Sequence, residues 1–186
     1  MESAYLRHIP QEDIYLFNTG NAKKAWLCFG CRYIPELKAH RFTVWAPNAQ
    51  RVSLVGSFNG WDRDAMPMEK IEGGVWVCFA EGIENGALYK YCVTGADGRQ
   101  ILKSDPFAAY SQTGSETASI VWNGGDFRWG DGEYMQRRAK RDFMTQPMSI
   151  YELHAGSWKM KEDGVPYNYS ELADQLVPYI KDMGYT

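Results

Sequence analysis

A flat aromatic ring set between hydrogen-bonding groups on a tight turn is chemistry suited to a sugar, and Gly-Ser-Phe-Asn-Gly-Trp-Asp at 56–62 has that composition. Trp61 offers a wide apolar face, with Asn59 and Asp62 beside it; a pyranose offers one apolar face ringed by hydroxyls. Such a contact needs no acid, base or nucleophile, only a ring held at the surface. The competing reading makes Trp61 a turn residue folded onto the body below. Deciding between them requires the elements that flank the turn.

Those elements read as strands. Phe42, Val44, Val52 and Leu54 alternate with Thr43, Arg51 and Ser53, which places the first set toward a core and the second toward solvent. Further candidates cover 75–80, 87–94, 100–102 and 118–122, besides 41–45 and 51–56, with turn signals at Gly73-Gly74, Asn85-Gly86 and Asp97-Gly98. Several short strands at this spacing predict an immunoglobulin-like β-sandwich over 41–122, so the fold class is mainly β. Residues 1–40 form an apolar segment with a short helical candidate at 13–17 and an aromatic run over 25–33, and 123–146 reads as a connector.

The pattern changes after Pro147. Residues 148–154 read as a strand and 169–183 as a helix, with Leu172, Leu176, Ile180 and Met183 on one face. Asn168 with Glu171 fits a capping box, Gly184 fits a helix-ending glycine, and Pro178 should bend the helix. One strand followed by one helix is the opening unit of a (β/α)8 barrel. It cannot bury both of its apolar faces alone, so 147–186 is read as a truncated first unit and the chain as a fragment.

Two motifs in the sandwich, Trp45-Ala-Pro-Asn-Ala49 and Gly56-x-Phe-Asn-Gly-Trp-Asp62, resemble the family 48 carbohydrate-binding module at the front of bacterial glycogen branching enzymes. Asp105-Pro-Phe-Ala-Ala109 with Thr117-Ala-Ser-Ile-Val121 resembles that module's last hairpin, and Ser149-Ile-Tyr-Glu-Leu-His-Ala-Gly-Ser-Trp158 resembles the first barrel strand of the catalytic domain. The resemblance implies binding of α-1,4-glucans such as glycogen and maltooligosaccharides, with Trp61 and Lys90 as sugar contacts and Asn59 beside them. It also implies a second Trp after the Asp97-Gly98 turn and an Asn near the last strand. Here those positions read Arg99-Gln100 and Ala118 or Ser119, which predicts weaker binding at this site. His154 and Trp158, after the first barrel strand, would border the glucan cleft of a complete enzyme.

The same resemblance puts the catalytic carboxylates on later barrel strands, so no catalytic residue is expected in this chain and Glu152 reads as structural. Transfer with retention needs two carboxylates about 5 Å apart at barrel strand ends. The chain is therefore expected to be inactive by itself, with the remainder of the barrel as its partner in a branching enzyme. The alternatives are a stand-alone glucan-binding module, a debranching relative and a structural immunoglobulin-like domain.

Composition narrows the field. With 20 basic and 23 acidic side chains and a net charge of -3, nothing marks a nucleic-acid partner. No apolar block of signal-peptide or membrane-spanning length appears, which predicts a cytoplasmic protein without a membrane partner. Cys28 and Cys31 have C-x-x-C spacing, a possible redox pair or half of a zinc site. Cys78 and Cys92 are not closely spaced and the three histidines are scattered, so the thiols read as small buried groups, with no metal and no cofactor expected.

Overall fold

The computed structural model describes residue 5 and residues 7–124, 128–142 and 144–186. Parts of the expected N-terminal segment (1–4 and 6) and of the connector (125–127 and 143) lie outside the described residues. The chain divides into two compact units, Met1–Phe127 and Arg128–Thr186.

In the first unit two antiparallel sheets share one core. The first sheet has the order β1 (Gly30–Ile34), β2 (Ala39–Trp45), β5 (Val75–Glu81), β4 (Glu69–Ile71). The second runs β3 (Arg51–Gly56), β6 (Leu88–Thr94), β9 (Ser119–Ile120), β8 (Tyr110–Ser111), and β7 (Gln100–Lys103) also pairs with β6. Period-two alternation sends Phe42, Val44, Trp76 and Ala80 of the first sheet and Val52, Leu54, Tyr89 and Tyr91 of the second into a common core. The result is a β-sandwich. Positive φ at Gly73, Gly74, Gly86 and Gly98 makes the expected turns possible, since a left-handed backbone strains residues that carry a Cβ.

The first sheet is covered on its outer face as well. Helix α1 (Gln11–Asn18) buries Ile14, and with Ile9, Cys28 and Phe29 it packs on Val75 and Val77. Arg41 ties this layer down. Buried in β2, it donates from Nη1 to the His8 carbonyl (2.7 Å) and from Nη2 to those of Leu27 (3.1 Å) and Cys28 (2.9 Å). Burial lowers its pKa, because the charge gains only neutral acceptors as close partners.

One sequence expectation needs correction in this unit. Thr43 and Ser53 do not face solvent; both are buried, Thr43 on the sheet face covered by the N-terminal layer and Ser53 bridging to Pro67. The aromatic run at 25–33 leads into a strand: Gly30, with φ +84, lets the chain pass so close to Phe107 that a Cβ would lie 2.6 Å from its carbonyl oxygen, and β1 then pairs with β2. The C-x-x-C pair is divided between layers, Cys28 in the outer cluster and Cys31 in the sandwich core. Burial pushes the Cys28 thiol up to about 11 and Cys31 higher still, which disfavours the thiolate that redox or metal chemistry needs.

The second unit holds α2 (Gly132–Lys140) and α3 (Tyr169–Asp182), with one isolated bridge between Met160 and Pro166. The capping box forms as the spacing predicts: the Glu171 N–H donates to Asn168 Oδ1 (3.0 Å) and the Asn168 N–H to Glu171 Oε2 (2.9 Å). Leu172 is buried, and Leu176 and Ile180 are half-buried on the same face. The helix continues through Pro178, and Gly184 follows its end with φ +77. The strand expected over 148–154 is absent. A strand is made by ladder bonds to a neighbour, and here only Ser149 exchanges bonds, with Thr186.

Candidate functional site

The turn carrying Trp61 is built by Asn59. Its Oδ1 accepts from the Gly56 N–H (2.9 Å) and its Nδ2 donates to the Leu54 carbonyl (3.0 Å), so one side chain stitches the turn to the end of β3. Gly56 is required there for space: a Cβ would stand 2.2 Å from the Leu88 carbonyl oxygen and 2.5 Å from the Phe58 ring. The Leu88 N–H donates to the Ser57 hydroxyl (3.1 Å), which fixes the turn against β6.

Gly60 and Trp61 follow with φ of +62 each. A left-handed conformation costs a residue with a Cβ about 1–2 kcal/mol, and such strain collects at ligand clamps. Three bonds hold it: the Trp61 N–H to the Gly56 carbonyl (3.0 Å), the Asp62 N–H to the Asn59 carbonyl (3.2 Å) and the Asp64 N–H to Asp62 Oδ1 (2.9 Å). The Trp61 ring remains 37% exposed.

Lys90 lies in register with Val55, one step from the end of β3, where Gly56 pairs with Tyr89. Its neighbours Tyr89 and Tyr91 point into the core, so Lys90 points out from the opposite face of the sheet. The two tyrosines are anchored by Asp105, whose Oδ2 accepts from both hydroxyls (2.7 and 3.0 Å). Burial raises the Asp105 carboxyl above its ordinary value, opposed by the hydrogen bonds from Tyr89, the Phe107 N–H and Tyr91. Burial together with Asp105 pushes both phenols far up, so they remain donors.

The outward Lys90 ammonium donates to the Thr117 hydroxyl (2.7 Å). Thr117 is the polar residue that sequence reasoning missed beside the last strand. The two positions considered instead are buried, and the Ser119 hydroxyl accepts from the Asp105 N–H (2.8 Å). An exposed polar residue one position before an alternating strand was the available signal. At the place of the second aromatic, Arg63 donates to Gln100 Oε1 (3.1 Å). A polar pair stands where a stacking ring was sought.

His154 and Trp158 lie in the second unit. His154 Nδ1 is 2.8 Å from the Ser157 hydroxyl, and the Trp158 indole donates to the Tyr151 hydroxyl (2.8 Å). The Trp158 ring is half-buried against Tyr179, centroids 5.6 Å apart. Among the described residues no group of three or more His, Cys, Asp or Glu side chains is arranged to hold a metal ion. None of the described helices is long and apolar enough to cross a membrane.

Comparison with known proteins gives matches over most of the chain. The family model described as Carbohydrate-binding module 48 (Isoamylase N-terminal domain) matches residues 28–108. The 1,4-alpha-glucan branching enzyme GlgB of Geobacillus stearothermophilus is 44% identical over 177 residues, which cover 94% of this chain and 28% of that protein. Its counterpart from Pseudomonas syringae pv. syringae (strain B728a) is 46% identical over 181 residues, 94% of this chain and 24% of that protein. A Salmonella typhimurium crystal structure described as an alpha amylase aligns with a TM-score of 0.57 at 23% identity, covering 85% of this chain and 23% of that one, a likeness of fold. The chain spans about a quarter of the length of the branching enzymes it matches.

Proposed function

We propose, from the match of residues 28–108 to the family model described as Carbohydrate-binding module 48, that the chain is the N-terminal glucan-binding and glucan-orienting region of a 1,4-alpha-glucan branching enzyme. Such an enzyme moves α-1,4 chains onto α-1,6 branch points in glycogen synthesis. The observation that carries this reading is the 44% identity to a branching enzyme over 94% of the chain. A binding module by itself would have no reason to resemble those enzymes beyond residue 108.

In this reading the module contributes contact and placement, and the sandwich is of the immunoglobulin-like kind. Trp61 supplies the stacking face, Lys90 and Thr117 supply hydrogen bonds, and Asn59 acts mainly by holding Trp61 in its left-handed conformation. The segment from 147 onward corresponds to the first strand-helix unit of the catalytic barrel, whose strand needs parallel neighbours in order to form, with His154 and Trp158 near the glucan cleft. Neither the chemistry proposed for this chain nor the binding requires a cofactor from it.

An exposed indole face covering about 100 Å² of sugar contributes on the order of 2.5 kcal/mol. One or two hydrogen bonds of about 1 kcal/mol each bring the total toward 4 kcal/mol, near millimolar affinity. Glycogen compensates with many equivalent chain ends. Affinity electrophoresis of the chain in glycogen-containing gels tests the proposal. Retardation that is weakened in Trp61→Ala supports it; equal mobility with and without glycogen contradicts it.

A further inference from the structure

A depression of about 460 Å³ lies between α1 and β4, the edge strand of the first sheet. This size is within the usual range for small-molecule sites. Buried Ile9 and Ile14 and half-buried Ile71 give it apolar walls. Its rim carries Gln11, Tyr15 and Glu72, whose side chains have no hydrogen-bond partner among the described residues, and Lys70, which donates to the Pro47 carbonyl (3.2 Å). Tyr15 is 67% exposed, so its ring is open to a ligand at the edge of these apolar walls.

We infer that this groove is a second glucan subsite, in which the Tyr15 ring meets the apolar face of a glucose unit while Gln11 and Glu72 hydrogen-bond its hydroxyls. The inference rests on the glucan-binding reading of the module and adds a separate site to it. The ligand class follows from the lining. One cation and one anion at the rim leave no net charge to select a phosphate or a polycation, whereas apolar walls beneath unpaired amide, phenol and carboxylate groups match a neutral polyol with one apolar face. The groove lies at the first sheet, and Trp61 follows a strand of the second, so the module would hold glucan at two places. Two weak sites on one rigid body strengthen attachment to a branched polymer without any new contact.

The test is an amide chemical-shift titration of the chain with maltoheptaose, in the wild type, Tyr15→Ala and Trp61→Ala. Shifts at 11–15 and 70–72 that persist in Trp61→Ala, and whose affinity falls at least fivefold in Tyr15→Ala, support the second subsite. Because Tyr15 is mostly exposed, its removal should leave the fold intact; Glu72→Gln, which conserves shape, should also weaken the same set of shifts. Shifts confined to the Trp61 turn overturn the second subsite and leave the proposed function standing. No shifts anywhere defeat both.

Discussion

The Lys90 ammonium stands 2.7 Å from the Thr117 hydroxyl, joining the outward face of β6 to the segment that enters β9. Lys90 is thereby held upright without an opposing carboxylate among the described residues, and its remaining donors are left for a ligand. Lys90→Met should weaken maltooligosaccharide binding about tenfold, the equivalent of one charge-assisted hydrogen bond of roughly 1.4 kcal/mol. The melting temperature should barely move. Thr117→Val should weaken binding less, since it removes the brace and leaves the charge. Calorimetric titration with parallel thermal melts checks both.

Trp61 carries a φ of +62, so its side chain is tolerated at a conformational cost. Trp61→Gly should therefore be more stable than Trp61→Ala, by about 1 kcal/mol, although both lose the stacking face and with it sugar binding at this turn. If position 61 did not hold a left-handed backbone, glycine would be the worse replacement of the two. Urea midpoints of the two variants decide.

Arg41 holds three carbonyls of the N-terminal layer from inside β2. Arg41→Met removes this donor from three carbonyls, of which that of Cys28 is buried, and should cost about 2–4 kcal/mol. Arg41→Lys should recover only part of this, because one ammonium cannot serve three carbonyls with the planar fork of a guanidinium. Hydrogen exchange should show the loss concentrated in residues 8–29 rather than in β3 and β6.

How much of this was legible beforehand depended on the range of the forces involved. Alternation over 41–45, 51–56, 75–80 and 87–94 marked the central strands because their period reports one buried face, and Asn168 with Glu171 marked the start of α3 because a capping box is local. Short edge strands such as Glu69–Ile71 and Tyr110–Ser111 carry too few residues to show a period. Thr43 misled because nothing local announces that residues 9–29 will cover its sheet from outside. Trp61 stands out by its ring beside polar turn residues and Lys90 by motif resemblance, whereas the bracing roles of Asn59 and Thr117 depend on partners that only the folded chain supplies.

Burial lowers the His40 pKa below its ordinary 6.5, with a smaller opposing effect from its 2.9 Å bond to Asn123 Oδ1. Above pH 6.5 folded and unfolded chains are both neutral there and the contribution to stability is complete. As pH falls through 6.5 toward the folded value, the unfolded chain takes the proton first and stability declines. Asp105, whose folded pKa is raised, works in the opposite sense: its contribution is complete below 3.8 and lost as pH rises through the folded value. His40→Gln should flatten the fall in melting temperature between about pH 7 and 5, and the difference from wild type isolates His40 because Asp105 is common to both.

The central claim is that Trp61 presents its ring to an α-glucan. The most direct measurement follows the Trp61 indole N–H resonance while maltoheptaose is added to the chain. A saturating shift in the millimolar range, with Lys90 and Thr117 amides moving in step and the whole set abolished by Trp61→Ala, is the expected result. An indole signal that stays fixed to saturating sugar, or a response of the Lys90 and Thr117 amides that survives Trp61→Ala, would contradict the account.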